Sequence, residues 1–154
     1  KYHKEYPETE LLIIGGKGWL YRDILKKIKN REYIRDLGYI NTSEKAALYY
    51  LSQGLIWPSF YEGFGFPPLE AMAKGCPVVV SNVASLPEIC GDAALYVDPY
   101  DINSISKAIL RVLQDKDLQS RLIKAGYKRV RKFTWARSAR QHQQVFDFIA
   151  KGIK

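Results

Sequence analysis

The chain has 154 residues, of which 47% are hydrophobic and 26% charged, the size and composition of one soluble globular domain. That balance excludes a disordered, collagen-like or disulfide-stapled chain, and apolar runs as short as residues 11–14 and 77–80 fall far short of the ~20 residues that cross a bilayer. The net charge of +8 is uneven, because residues 107–140 hold eleven Lys and Arg against two Asp; a cationic C-terminal third suits solvated helix faces, an anionic membrane surface or nucleic acid.

The opening Lys-Tyr-His-Lys-Glu has no starting Met and no apolar signal core, so it reads as a cut end. Residues 10–16 (ELLIIGG) form a short apolar run ending in glycines, which predicts a buried strand of a parallel sheet entering a tight turn. Leu20, Ile24, Leu25 and Ile28 recur at helical spacing over 20–29, and 34–40 reads as strand again. Thr42 or Ser43 is positioned to cap a helix that runs through Leu51, and 54–59 (GLIWPS) makes the next short strand. Pro67-Pro68 opens a helix that Gly75 stops, and 77–81 (PVVVS) is a strand. Ser85 opens a short helix that ends at Gly91 before the strand 94–97. Beyond Asp98-Pro99-Tyr100-Asp101 the pattern is helical, with Ile105, Ile109, Val112 and Leu113 on one face and Leu118, Leu122 and Ala125 on the next. This alternation predicts one α/β domain over 1–154, a Rossmann-like parallel sheet with helices on both faces. Ligands in such folds sit at the carboxyl ends of the strands.

Cys76 and Cys90 stand among small and apolar residues without CxxC or Cys/His spacing, and read as buried reduced thiols of a cytoplasmic protein. His3 and His142 have no triad partners in sequence, and Trp19, Trp57 and Trp135 read as packing residues. No acidic cluster reads as a metal site. Three strand ends carry unusual residues: Gly15 to Gly18, residues 58–68, and Ser81-Asn82. In the second, Gly63 and Gly65 bracket an aromatic directly before the proline-started helix, so backbone N–H groups can approach an anion closely. Glu62 and Glu70 flank this turn with seven residues between them. Carboxylates accept from hydroxyls rather than bind phosphate, so the pair suits a ligand with hydroxyls on both sides of a phosphate, the shape of a sugar nucleotide.

The run Glu62-Gly63-Phe64-Gly65-Phe66-Pro67-Pro68-Leu69-Glu70-Ala71-Met72-Ala73, continued by Gly75-Cys76-Pro77-Val78-Val79, Leu86-Pro87-Glu88 and Val97-Asp98-Pro99, resembles the E-x7-E segment of retaining GT-B-type glycosyltransferases, mannosyltransferase-like members of group 1 especially. The resemblance covers about residues 10–140 and identifies the C-terminal, donor-binding half of a two-domain enzyme. It implies that Glu62 lies against the transferred sugar as the catalytic glutamate. It further implies that Gly63, Phe64 and Gly65 contact sugar hydroxyls, that backbone near Pro68 and Leu69 meets the diphosphate, and that Glu70 takes the ribose. The same resemblance implies that Tyr39 and Ile40 lie by the base and that Gly15 and Gly16 face the sugar or phosphate side.

The implied reaction moves a hexose, mannose or glucose, from a GDP- or UDP-linked donor to a glycan or lipid-linked acceptor with retention, without a metal or other cofactor. The family's N-terminal domain, its Arg/Lys diphosphate clamp and its first, central strand have no counterpart in these residues, so the chain by itself is expected to be inactive. That central strand lies between those of 11–14 and 55–58. Its place must be filled by other residues, by closing up of the sheet, or by a second copy pairing as a dimer. The cationic third suggests peripheral membrane contact. Alternatives are a noncatalytic sugar-nucleotide or phosphosugar module, or a basic nucleic-acid-binding domain. A dinucleotide fingerprint fails, because Tyr21 stands where the third glycine after Gly16-Lys17-Gly18 would be.

Overall fold

A computed structural model describes residues 6–18 and 21–152; His3, Trp19 and Leu20 lie outside the described residues. The chain forms two compact units, Lys1–Ala47 and Leu48–Lys154.

In the first unit, β1 (Leu11–Ile14) pairs in parallel with β2 (Ile34–Gly38), and α1 (Tyr21–Ile28) connects them. The register slips between Ile13, opposite Asp36, and Ile14, opposite Gly38. Asp36 accounts for this irregular end: its carboxylate accepts from the Gly38 N–H at 3.0 Å and from the Tyr21 hydroxyl. Those two donors, Tyr21 first, hold the Asp36 carboxyl below its ordinary pKa. Gly38, at φ +63°, turns the chain out of the strand, which therefore ends two residues short of the predicted 34–40. Burial of β1 is not as expected. Leu11 is 48% exposed and Ile14 is also exposed, because within this unit β1 has a single partner strand and no helix buries any residue fully against it.

Helix α2 (Thr42–Leu51) starts where predicted but by a different cap. Asn41 Oδ1 accepts from the Glu44 N–H and the Asn41 N–H donates to Glu44 Oε2, both at 2.9 Å. This is a reciprocal capping box, so neither Thr42 nor Ser43 is the cap.

The second unit holds β3 (Leu55–Trp57), β4 (Val78–Ser81) and β5 (Ala94–Val97), all parallel in the order β3-β4-β5. Every residue of central β4 is fully buried, and alternation sends its side chains to two cores. Val78 and Val80 join Leu69, Met72, Cys76, Leu86, Ile89 and Cys90 on one face, while Val79 joins Val97, Ala108, Val112, Leu118 and Leu122 on the other. Each such aliphatic side chain contributes on the order of 1.5–3 kcal/mol by leaving water.

The helices that supply these faces are α3 (Phe66–Ala73), α4 (Leu86–Cys90), α5 (Ile102–Gln114) and α6 (Lys116–Val130), followed by α7 (Trp135–Gly152). Asp101 and Asp115 cap α5 and α6, accepting from the N–H groups of Asn103 and Leu118 at 2.8 Å. Arg129 of α6 donates through Nε to the Ile89 carbonyl at 2.8 Å and through its guanidinium to the Glu88 carbonyl, satisfying the open end of α4. The basic residues of 107–140 are exposed except for half-buried Arg129, which fits solvated helix faces. Trp135 departs from its packing assignment at 84% exposed, since α7 buries none of its residues.

Both cysteines are free and buried. Burial pushes the Cys76 and Cys90 thiols up to about 11. Burial, then the Glu70 charge, takes Tyr49 to about 12, and burial does the same for Tyr96. In the unfolded chain these groups ionise near 9 and 10, so the fold favours their neutral forms. The resulting stability is present in full below about pH 9 and is lost as pH rises through 11 to 12. Urea unfolding under reducing conditions should show a falling midpoint above pH 9, and Tyr96→Phe should flatten that fall; a midpoint constant to pH 11 would contradict it.

Candidate functional site

Strand β3 ends at Trp57, and the chain then makes the turn that carries Glu62 before entering α3 at Phe66. Gly65 occupies the N-cap position of α3 at φ 100°, ψ 53°, and no side chain caps this helix. Pro67 and Pro68 fill its first turn, where a missing N–H costs least. Pro68 has no N–H to offer an anion, and the Leu69 N–H begins the helix's own ladder, donating to the carbonyl of the N-cap Gly65. Among the described residues, the N–H groups of Gly63, Phe64 and Gly65 take no hydrogen-bond partner. Three unfilled donors thus precede the positive end of a helix dipole. Phe64 anchors the turn from below, packing on the Val78/Val80 core with its ring edge-on to Phe133 at 5.9 Å between centroids.

Glu62 is held in place. Trp57 Nε1 donates to its Oε1 at 2.9 Å and Ser59 Oγ donates to the same oxygen at 2.7 Å. The backbone of the turn is held as well, because Ser85 Oγ lies 2.9 Å from the Glu62 carbonyl and 3.1 Å from that of Phe64. Ser85 was expected to cap the next helix. It stands at the N-cap of α4 but makes no side-chain cap bond, and its hydroxyl serves the glutamate turn instead.

Glu70, half-buried in α3, accepts from the Tyr49 hydroxyl at 3.5 Å. Tyr49 packs against the same core as Phe64, which sets α2's last turn beside this carboxylate. In the first unit, Gly15 at the end of β1 donates to the Gly38 carbonyl at 2.9 Å, Gly15 and Gly16 are exposed, and Tyr39 is 85% exposed beside half-buried Ile40.

The third unusual strand end does not join the glutamate turn. Ser81 lies on the Val79 side of β4 by alternation, opposite the core on which Phe64 packs, and its buried Oγ has no partner among the described residues. Among the described residues no group of three His, Cys, Asp or Glu side chains gathers as metal ligands do. Reading residue types along the chain singled out both glutamates and the glycines between them. It missed Trp57, Ser59, Ser85 and Tyr49, of which the i, i+3 spacing of Ser59 and Glu62 was the one local signal.

The family model for "Glycosyl transferases group 1" matches residues 1–129. This chain belongs to the group 1 glycosyltransferases. It is 42% identical over 143 residues to the O-antigen chain mannosyltransferase B of Escherichia coli, covering 90% of this chain and 37% of that protein. A glycogen synthase of Mycobacterium tuberculosis is 31% identical over 158 residues, covering 99% of this chain and 38% of that protein. Among solved structures, sucrose-phosphate synthase from Thermosynechococcus elongatus superposes with TM-score 0.77 at 29% identity, over 92% of this chain and 39% of that one. A glycosyltransferase from Rickettsia africae shares the fold at TM-score 0.77 and 20% identity, over 94% and 41%. The chain thus spans about two fifths of the length of each of these four proteins, and its parallel α/β architecture is the Rossmann-like one of GT-B glycosyltransferases. Among the described residues no helix is long and apolar enough to cross a membrane.

Proposed function

We propose that the full-length protein transfers a hexose, mannose before glucose, from a nucleoside diphosphate to a glycan acceptor with retention of configuration. The supporting observation is the Glu62 turn: a carboxylate whose Oε1 is filled by two donors stands directly before three unpartnered amides at the start of α3. In this reading Glu62 Oε2 accepts from a hydroxyl of the transferred sugar. The amides of Gly63 to Gly65 meet sugar and phosphate oxygens, and the dipole of α3 stabilises the charge that builds on the leaving diphosphate. Glu70 accepts from the ribose hydroxyls, with Tyr49 holding its other side. Mannose is favoured because the relatives at 35–42% identity include several named mannosyltransferases.

Thermal stabilisation of the full-length protein by a panel of nucleoside diphosphate sugars tests the donor class. A mannose-linked donor should give the largest shift, and nuclear magnetic resonance of the product should show the donor's anomeric configuration kept. No stabilisation by any member of the panel would overturn the reading. For Glu70→Gln the expected result is a donor KM raised about tenfold with kcat little changed, because a charge-assisted bond to the ribose acts equally in ground and transition states. Steady-state kinetics at varied donor concentration separates the two parameters, and an unchanged KM would remove Glu70 from the donor site.

A further inference from the structure

We infer that Trp57 and Ser59 are positioning residues for Glu62, setting the direction in which its second carboxylate oxygen points; this rests on the role proposed for Glu62. A carboxylate offers two oxygens with about four acceptor directions, and a glutamate on an open turn would sample several rotamers. Here both donors converge on Oε1, at 2.9 Å and 2.7 Å, and no other described residue bonds to the carboxylate. One oxygen is therefore filled by the protein and the other is left for a ligand.

The two donors are themselves well placed. Residues 57 and 59 are two apart, so on an extended backbone they face the same side, and Pro58 between them biases Trp57 towards that extended conformation. The Trp57 ring packs against the core of Leu69, Met72 and Val80, which fixes its plane while its Nε1 reaches the turn. Indole can only donate; the oxygen it meets must be an acceptor, and the arrangement cannot be reversed. Ser59 lies three residues before Glu62 and donates from the near side. Two short bonds on one oxygen of one glutamate mark that glutamate's orientation as the geometry this strand end is built to deliver.

Kinetics of the full-length enzyme test this. Trp57→Phe keeps the ring packing and removes the N–H; Ser59→Ala removes the hydroxyl and Ser59→Thr keeps it. Trp57→Phe and Ser59→Ala should each lower kcat about tenfold, since small misplacements of a reacting group are costly, with donor KM changed by less than about threefold. Ser59→Thr should recover most of the loss. In a Glu62→Ala background neither substitution should lower the remaining rate further, because residues acting through one group are not additive.

Wild-type kcat in both single variants would overturn the positioning role, as would equal losses with Glu62 present and absent. A crystal structure of the Trp57→Phe, Ser59→Ala double variant in which Glu62 keeps its rotamer would overturn it without reference to activity. Wild-type turnover in Glu62→Ala would instead refute the role proposed for Glu62 and this inference with it. An inactive Glu62→Ala beside unaffected Trp57→Phe and Ser59→Ala would leave that role standing and remove only the positioning.

Discussion

Replacing Glu62 by Gln in the full-length enzyme should lower kcat by roughly 10- to 100-fold while leaving thermal stability within about a degree of wild type. The two parts of this expectation have one cause. The amide oxygen of Gln can take the place of Oε1 and still accept from Trp57 Nε1 and Ser59 Oγ, so the turn keeps its internal bonds. The amide NH2 then stands where Oε2 stood, and an acceptor facing the sugar becomes a donor. Loss of one charge-assisted hydrogen bond is worth ~1.5–3 kcal/mol, and that sets the size of the rate effect. The loss should appear in kcat rather than in donor KM, because the sugar ring gains positive charge as its bond to phosphate breaks and the interaction tightens at that moment. The contrast with Glu70→Gln, expected in KM, is the sharper test, since two nearby carboxylates of the same helix entry would fail in different parameters. A kcat for Glu62→Gln within about twofold of wild type would place the chemistry elsewhere.

Gly65→Ala should destabilise the second unit strongly. Gly65 holds φ 100°, ψ 53° as the N-cap of α3, a left-handed conformation that costs a residue with a Cβ about 1–2 kcal/mol. A Cβ built there would also stand 2.8 Å from Leu86 Cδ2, and Leu86 is fully buried in the Val78/Val80 core. It cannot yield without repacking, at ~1–3 kcal/mol. The two effects together come to ~2–5 kcal/mol and predict a Tm lower by about 10 °C for a chain of this size. Donor-dependent activity should fall as well, because the same residue sets the direction of the amides between the glutamates. Gly63→Ala is the control. A Cβ at Gly63 meets nothing within 4 Å, so its stability should be near wild type, while a methyl beside the unpartnered amides weakens donor binding. Differential scanning calorimetry of the two variants decides the point, and a Gly65→Ala protein as stable as Gly63→Ala would contradict the strain argument.

The order and type of the elements were legible along the chain because their signals are local. Apolar period and Pro/Gly punctuation mark β4, α3 and β5 within a few residues, and the flanked glycines of 62–70 carry the resemblance to the glycosyltransferases. Departures occur where a partner distant in sequence, or the lack of one, decides. Ser85 reads as a helix cap from its neighbours, but its hydroxyl meets carbonyls 21 and 23 residues earlier. Trp57 reads as packing and does pack, yet its N–H is used by a carboxylate whose position depends on the whole turn. The first strand reads as buried from its composition, while its exposure follows from which strands and helices stand beside it.

By itself, then, the amino-acid sequence determined an alternating α/β chain, the family to which it belongs, and two glutamates bracketing a glycine turn at the start of a helix. Those features depend on backbone preferences and residue order, which are present before folding. The tertiary structure alone decided that Glu62 is gripped at one oxygen by Trp57 and Ser59, that Ser85 ties down the turn, and that Tyr49 reaches Glu70. A hydrogen bond forms only where two groups arrive within about 3 Å in the right direction, and that arrival is produced by the packing of β3, α2, α3 and α4 on one core rather than by any stretch of the chain.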